Sequence, residues 1–323
     1  NADDLYTTAS TSAYGLTTFL GNHDMGRIGM FIENASSSPE EALRKSQLAN
    51  ALLLLLRGGP ALYYGDEKGM TGTGGDRDAR QDMFATAVAK WQDEKRIGSA
   101  PIGTASSFDV VNPLEVQISE LQQIIAANPA LRSGTQQVRY AKGGLFVVTR
   151  YLNGDEYAVV FNAGDKAADV QFKVSTTGST WQVLHGSPLS LSAAKDQITT
   201  KVAGQSYLLL KAATKFASKA IPTIKLNAPR TDYVLDYLLE ISATASGDGY
   251  NQVNFQMREK GKSWVNIGTA DRRTVKSGVA AANLYRVFIE PLKFAKGTEL
   301  EFVAIMKTAS GKTVTSQIVK AKI

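Results

Sequence analysis

Phe19-Leu20-Gly21-Asn22-His23-Asp24 and, 35 residues after Asp24, Gly59-Pro60-Ala61-Leu62-Tyr63-Tyr64-Gly65-Asp66-Glu67 decide the fold. Each stretch carries a short apolar run that ends in charged side chains beside a glycine. The runs Leu16 to Leu20 and Pro60 to Tyr64 read as buried strands, and a helix belongs between them. Ser38-Pro39-Glu40-Glu41 supplies an N-cap serine, a proline at the first helical position and a glutamate placed to close a capping box. The pattern predicts a helix from Pro39 to about Arg57, stopped by Gly58-Gly59. A strand-helix-strand connection makes the two strands parallel, so His23, Asp24, Asp66 and Glu67 leave the sheet together at its carboxyl end. After a glycine-rich loop, Asn112-Pro113-Leu114-Glu115 repeats the capping logic and opens a helix to about Asn128, before Pro129. The first 130 residues thus hold two strand-helix units.

From Thr135 the period changes to alternation. Gln137–Ala141, Leu145–Tyr151, Tyr157–Phe161, Val170–Val174, Trp181–Leu184 and Ser206–Lys211 read as strands separated by Gly, Asn and Asp turns. A stretch of Ala, Thr, Lys and Ser without period follows, and then a second set: Val234–Ile241, Gln252–Glu259, Trp264–Gly268, Tyr285–Ile289, Leu300–Met306 and Thr313–Val319. The expected organisation is an α/β part at 1–132, an antiparallel β domain at 133–212, a linker at 213–222 and a second β-sandwich of immunoglobulin-like type at 223–323.

Composition narrows the chemistry. With 323 residues, 43% of them apolar and 20% charged, the chain can bury a sizeable core. It has no cysteine, which excludes disulfides, thiolate chemistry and Cys-ligated zinc, and its two histidines, His23 and His185, leave little for His-based metal sites. The longest apolar run, Ala51 to Leu56, falls far short of the roughly 20 residues a membrane-spanning helix needs. The net charge of +6 is uneven: residues 1–212 hold 19 Lys/Arg against 21 Asp/Glu, and 213–323 hold 17 against 9. The cations of the last third are scattered without aromatic interleaving, so they read as a solvated surface and no nucleic-acid partner is expected.

The two opening stretches resemble the seventh and eighth strands of the α-amylase family barrel. The likeness continues through Gly75-Asp76-Arg77-Asp78-Ala79-Arg80, similar to the family's Asp and Arg segment after strand eight, and to Asn128-Pro129-Ala130-Leu131, similar to its exit into a carboxyl-terminal β domain. It covers about 15–212. The resemblance implies the last two strand-helix units of a (β/α)8 barrel. It gives Asp24 the role of transition-state stabiliser and His23 a related catalytic role. Asn22, Asp76, Arg80 and Tyr64 become candidates for shaping the sugar site, with Tyr63 and Phe84 as further stacking candidates. Asp66 and Glu67 invite an acid–nucleophile pairing, which is rejected because this position mostly orders the loop after strand eight in the family. Tyr63, Tyr64 and Trp91 read more readily as packing than as sugar platforms, and His185 reads as an exposed turn residue.

A whole barrel of this kind takes about 250 residues. The family's nucleophilic Asp and acid/base Glu lie on strands before the Asn-His-Asp motif, and no Gly-Phe-Arg-x-Asp-like stretch occurs here. The expectation is therefore a carboxyl-terminal piece of a retaining glycosidase acting on starch-like glucans, inactive alone and completed by the upstream part of the same enzyme. No cofactor and no metal site is visible; calcium, if the full-length enzyme holds it, falls to upstream residues. No targeting signal is visible, and an extracellular or periplasmic location is expected. The rival reading is a noncatalytic carbohydrate-binding or surface module, which requires a row of exposed aromatics; Trp264 is its one clear candidate.

Overall fold

A computed structural model describes residues 6–72, 75–217, 221–229, 238–247, 249–270, 275–276, 279–280 and 283–323. The chain divides into two compact units: Thr17–Arg150 with Glu156–Thr214, and Asn1–Leu16 with Tyr151–Asp155 and Lys215–Ile323.

The first unit begins with β1 (Thr17–Thr18), α1 (Ile28–Asn34), α2 (Pro39–Leu55), β2 (Gly59–Pro60), α3 (Ala89–Gln92), α4 (Pro113–Ala127) and α5 (Pro129–Ser133). Thr17 pairs with Gly59 and Thr18 with Pro60 in parallel, and the Ala61 N–H donates to the Thr18 carbonyl at 2.8 Å. Both strands are shorter than the runs that announce them, since among the described residues each has only the other to pair with. Helix α2 starts where its caps dictate: the Ser38 hydroxyl accepts the Glu41 N–H at 3.3 Å and Pro39 takes the first position. The Glu41 carboxylate reaches back to Ser37, one residue beyond the expected box partner, and also takes Lys45 at 2.8 Å. Asn112 caps α4 by accepting the Leu114 N–H at 2.9 Å.

The β part of this unit comprises β3 (Thr135–Lys142), β4 (Leu145–Leu152), β5 (Asp155–Asn162), β6 (Ala168–Lys173), β7 (Trp181–His185), β8 (Ser190–Ala194), β9 (Gln197–Val202) and β10 (Ser206–Ala212). A five-stranded sheet in the order β3-β4-β5-β10-β7 faces a three-stranded one, β6-β9-β8. Val147, Ala158, Val160, Leu208 and Leu210 from the first close on Val170, Phe172, Ile198 and Val202 from the second. Strand β5 is buried almost throughout, because helix packing covers its other side: Tyr157 Oη donates to Asn128 Oδ1 at 2.8 Å. On neighbouring β10, Tyr207 Oη receives the Gln117 amide of α4 at 2.9 Å.

The second unit adds β11 (Thr223–Leu226), β12 (Leu239–Ser246), β13 (Gln252–Glu259), β14 (Val265–Ala270), β15 (Val275–Lys276), β16 (Val279–Ala280), β17 (Leu284–Ile289), β18 (Glu299–Lys307), β19 (Thr313–Thr315) and β20 (Val319–Lys322). One sheet runs β11-β12-β17 and the other β14-β13-β18-β19, with β20 also on β18. Alternation drives the packing: Ile241, Ala243, Tyr285 and Val287 meet Val253, Phe255, Phe302, Ala304 and Met306 in one core. The strand expected at Val234–Ile241 has its first residues, 234–237, outside the described residues; β12 occupies Leu239–Ser246. The expected run Thr313–Val319 divides into β19 and β20, both on β18.

Candidate functional site

The site is built from the turn that follows β1. Asn22 Oδ1 accepts the N–H groups of Asp24 and Met25 at 2.9 and 2.7 Å, and Asn22 pairs with Gly26 in a short antiparallel bridge. A side-chain amide mimicking a backbone turn is a local fold that Asn supplies at low cost. It leaves His23 and Asp24 exposed at the tip, with His23 Nε2 3.2 Å from Asp24 Oδ1. After β2 the chain makes a short 3₁₀ turn, Asp76–Ala79, that delivers Arg80 to the same place. Arg80 Nη2 lies 3.6 Å from Asp24 Oδ1 and 3.4 Å from Asp76 Oδ2, and its Nε donates to the His23 carbonyl at 3.4 Å. His23, Asp24, Asp76 and Arg80 are therefore brought together, and Asn22 holds the turn that presents them.

Tyr64 enters from below. Its ring is exposed, meets Tyr63 edge-on at 4.8 Å, and lies 5.1 Å from the guanidinium carbon of Arg27. Tyr63 is tied inward, its hydroxyl donating to the Ala79 carbonyl at 2.9 Å, while Phe84 stands exposed. The nearby Asp66 is buried against Arg27 at 2.9 Å, and Glu67 turns back to accept the Gly65 N–H at 2.8 Å. His185 is a correction: it ends β7, stacks on Tyr207 with ring centroids 5.2 Å apart, and lies 3.3 Å from Glu120. The alternation of its strand gave that turn reading no warning of the flat ring waiting on β10. Trp264 has the Arg258 guanidinium 4.4 Å over its ring, so one face is already taken. Among the described residues no cluster of three or more His, Asp or Glu side chains is placed to hold a metal.

Beneath the exposed groups lies a charged layer that the motifs do not reveal. Arg27 is fully buried; its Nη1 donates to Asp66 and to the Tyr64 carbonyl at 2.6 Å, and its Nε donates to Gln81 Oε1 at 2.7 Å. The Gln81 amide in turn serves both oxygens of buried Glu94, at 2.9 and 2.8 Å. The signal available in the sequence is that Arg27 is the sole Lys or Arg in the first 43 residues, set in an otherwise uncharged Gly- and Ile-rich stretch. An unpaired cation there would have to be solvated or matched, and Asp66 is the match.

Burial pushes the Asp66 carboxyl up from 3.8 to about 6, with Glu67 adding and the charge and hydrogen bond of Arg27 opposing. Burial likewise raises Glu94, against the hydrogen bond from Gln81. A carboxyl whose folded value exceeds its unfolded one takes up its proton in the folded state first, so this group favours folding as pH falls from 6 towards 4 and opposes it above 6. Asp66→Asn removes the titration. Comparison of urea stability at pH 7 and pH 4 is expected to find wild type gaining about 2–3 kcal/mol more than the variant on acidification. Equal pH slopes in the two proteins would contradict the burial of this carboxyl.

An exposed carboxylate flanked by an imidazole and a guanidinium, on a turn fixed by its own amide, can bind adjacent hydroxyls and oppose positive charge developing on a bound molecule. Residues 3–123 match the family model described as alpha amylase, catalytic domain. An α-amylase of Streptomyces lividans is 37% identical over 326 residues, 98% of this chain and 34% of that protein. An α-amylase of Niallia circulans is 30% identical over 45% of the chain and 22% of its own length. A cyclomaltodextrin glucanotransferase of Geobacillus stearothermophilus is 31% identical over 45% of the chain and 16% of its own length. The chain thus spans about a third of the Streptomyces relative and less of the others.

Proposed function

This chain belongs to the α-amylase family, and on that premise we propose that it is the carboxyl-terminal part of a retaining glycoside hydrolase that cleaves α-1,4 or α-1,6 glucosidic bonds of starch-like glucans or maltodextrins. The observation that carries the proposal is the Asn22-His23-Asp24 turn held against Arg80, inside the region matched by the catalytic-domain model. In this reading the α/β part is the end of a (β/α)8 barrel, with its reactive groups at the carboxyl ends of the strands, and the last β-sandwich is of immunoglobulin-like type.

Retaining hydrolysis needs a nucleophile, an acid/base and a host for an oxocarbenium-like transition state. In this reading the first two are an Asp and a Glu of the remainder of the full-length enzyme, and this chain by itself is taken to be inactive. Asp24 supplies the third: its carboxylate binds sugar hydroxyls at the scissile bond, and those bonds tighten as positive charge develops. His23 adds a hydrogen bond on the same sugar. Arg80 and Asp76 take hydroxyls of a neighbouring unit, Tyr64 offers its exposed ring to a pyranose face, and Asn22, its oxygen engaged in the turn, contributes its amide nitrogen. An extracellular or periplasmic location is part of the same proposal. The test is amylose hydrolysis by the full-length enzyme beside its Asp24→Asn variant; absence of turnover in the wild type would overturn the proposal.

A further inference from the structure

The paired strands beneath the site hold very little. Thr17 and Thr18 against Gly59 and Pro60 make a ladder of two residues each, and the groups that form the site lie beyond it, on the turn 22–26, at Tyr64 and on the segment ending at Arg80. One buried residue is tied to all three: Arg27 follows the turn directly in the chain, and its side chain bonds to Tyr64 and to Gln81, the neighbour of Arg80. Arg27 closes the turn that carries His23 and Asp24. Its Nη1 takes the carbonyl of Tyr64 at 2.6 Å and the carboxylate of Asp66 at 2.9 Å, and its Nε takes Gln81, the residue that follows Arg80, at 2.7 Å. Its guanidinium carbon lies 4.6 Å from the Tyr63 ring centroid and 5.1 Å from that of Tyr64.

The seat is shaped to this group. Gly65 has φ +85°, and a Cβ there would come within 2.3 Å of Met70 Sδ and 3.1 Å of Arg27 Nη2; a Cβ on Gly21 would come within 3.2 Å of both Asp66 Oδ2 and the Ile28 backbone nitrogen. The far end of the chain of bonds is anchored too, since Gln81 is gripped by both oxygens of Glu94. A planar fork with donors in fixed directions can serve three segments at once, which the point charge of a lysine cannot.

We infer that Arg27 is a positioning residue, whose guanidinium sets Asp24, Tyr64 and Arg80 in mutual register for the sugar. This rests on the glycosidase reading above. Arg27 touches no substrate; it acts through the segments it joins. A shift of about an ångström in a transition-state contact costs far more in turnover than in ground-state binding.

The experiment uses the full-length enzyme on maltoheptaose, well below the unfolding midpoints, with kcat expressed per folded molecule from circular dichroism. Arg27→Lys is expected to lower kcat roughly 100-fold with KM within about threefold. Gln81→Met, which keeps the Arg27–Asp66 pair and the side-chain volume, is expected to lower kcat about tenfold and guards against a first variant that does not fold. If kcat per folded molecule stays within about twofold of wild type in the folded variants while only their stability falls, Arg27 is merely structural and the inference is overturned. A wild-type enzyme that turns over no glucan overturns the glycosidase reading itself, and that outcome is distinct because it precedes any variant.

Discussion

Asp24→Asn in the full-length enzyme is expected to lower kcat on amylose about a thousandfold or more while leaving the fold intact. The size follows from where charge develops. As the glycosidic bond breaks, the ring carbon and oxygen become cationic, and a carboxylate fixed beside the ring hydroxyls is worth most at that moment. Removing one preorganised group of this kind typically costs 100- to 1,000-fold, about 3–4 kcal/mol, and an ionised one costs more than a neutral donor. The fold survives because the Asp24 side chain is 66% exposed and its partners, His23 at 3.2 Å and Arg80 at 3.6 Å, are half exposed as well. Surface pairs of this sort contribute under about 1 kcal/mol. The turn itself is held by Asn22, whose bonds go to backbone N–H groups and not to the Asp24 carboxylate. Near-normal turnover in the variant, with unchanged circular dichroism, would remove Asp24 from the mechanism.

Arg150→Met is expected to lower stability by about 2–4 kcal/mol in urea unfolding, because it leaves buried acceptors without donors. Arg150 is fully buried on β4; its Nη1 donates to the Leu55 carbonyl at 2.9 Å and its Nη2 to the Gly134 carbonyl at 3.2 Å. Leu55 is the last residue of α2 and Gly134 follows α5, so both acceptors belong to helix ends where carbonyls lack an intrahelical partner. The guanidinium satisfies them and meets the negative end of each helix dipole. Methionine fills much of the space of the stem but donates nothing, leaving two buried carbonyls without these bonds. A loss below about 1 kcal/mol would mean that water or neighbouring donors replace the guanidinium freely.

The sequence was most informative where short-range chemistry decides. Ser38-Pro39 and Asn112-Pro113 mark the starts of α2 and α4 because a cap and a fixed φ act within one turn. Alternation located β13 to the residue, since its inward positions Val253, Phe255 and Met257 face a single core. Strands β8 and β9 went unread: Ser190–Ala194 is built of small residues, and in Gln197–Val202 the inward Thr200 breaks the apolar rhythm between Ile198 and Val202. Their place is set by pairing with each other and with β6, which no local pattern encodes. At the site, His23, Asp24, Asp76 and Arg80 were legible as motifs, and the structure brings them within 3.2–3.6 Å of a neighbour. Arg27, Gln81 and Glu94 were not, because their meeting depends on contacts 54 and 13 residues apart along the chain.

Retaining hydrolysis of an α-glucan is tested most directly by the anomeric configuration of the first sugar released. The full-length enzyme is mixed with a soluble α-1,4 glucan and followed by proton NMR before mutarotation equilibrates the product. The α-anomer of the new reducing end is expected to appear first and to decay towards the equilibrium mixture. First appearance of the β-anomer, or no release of reducing ends at all, would contradict retaining hydrolysis.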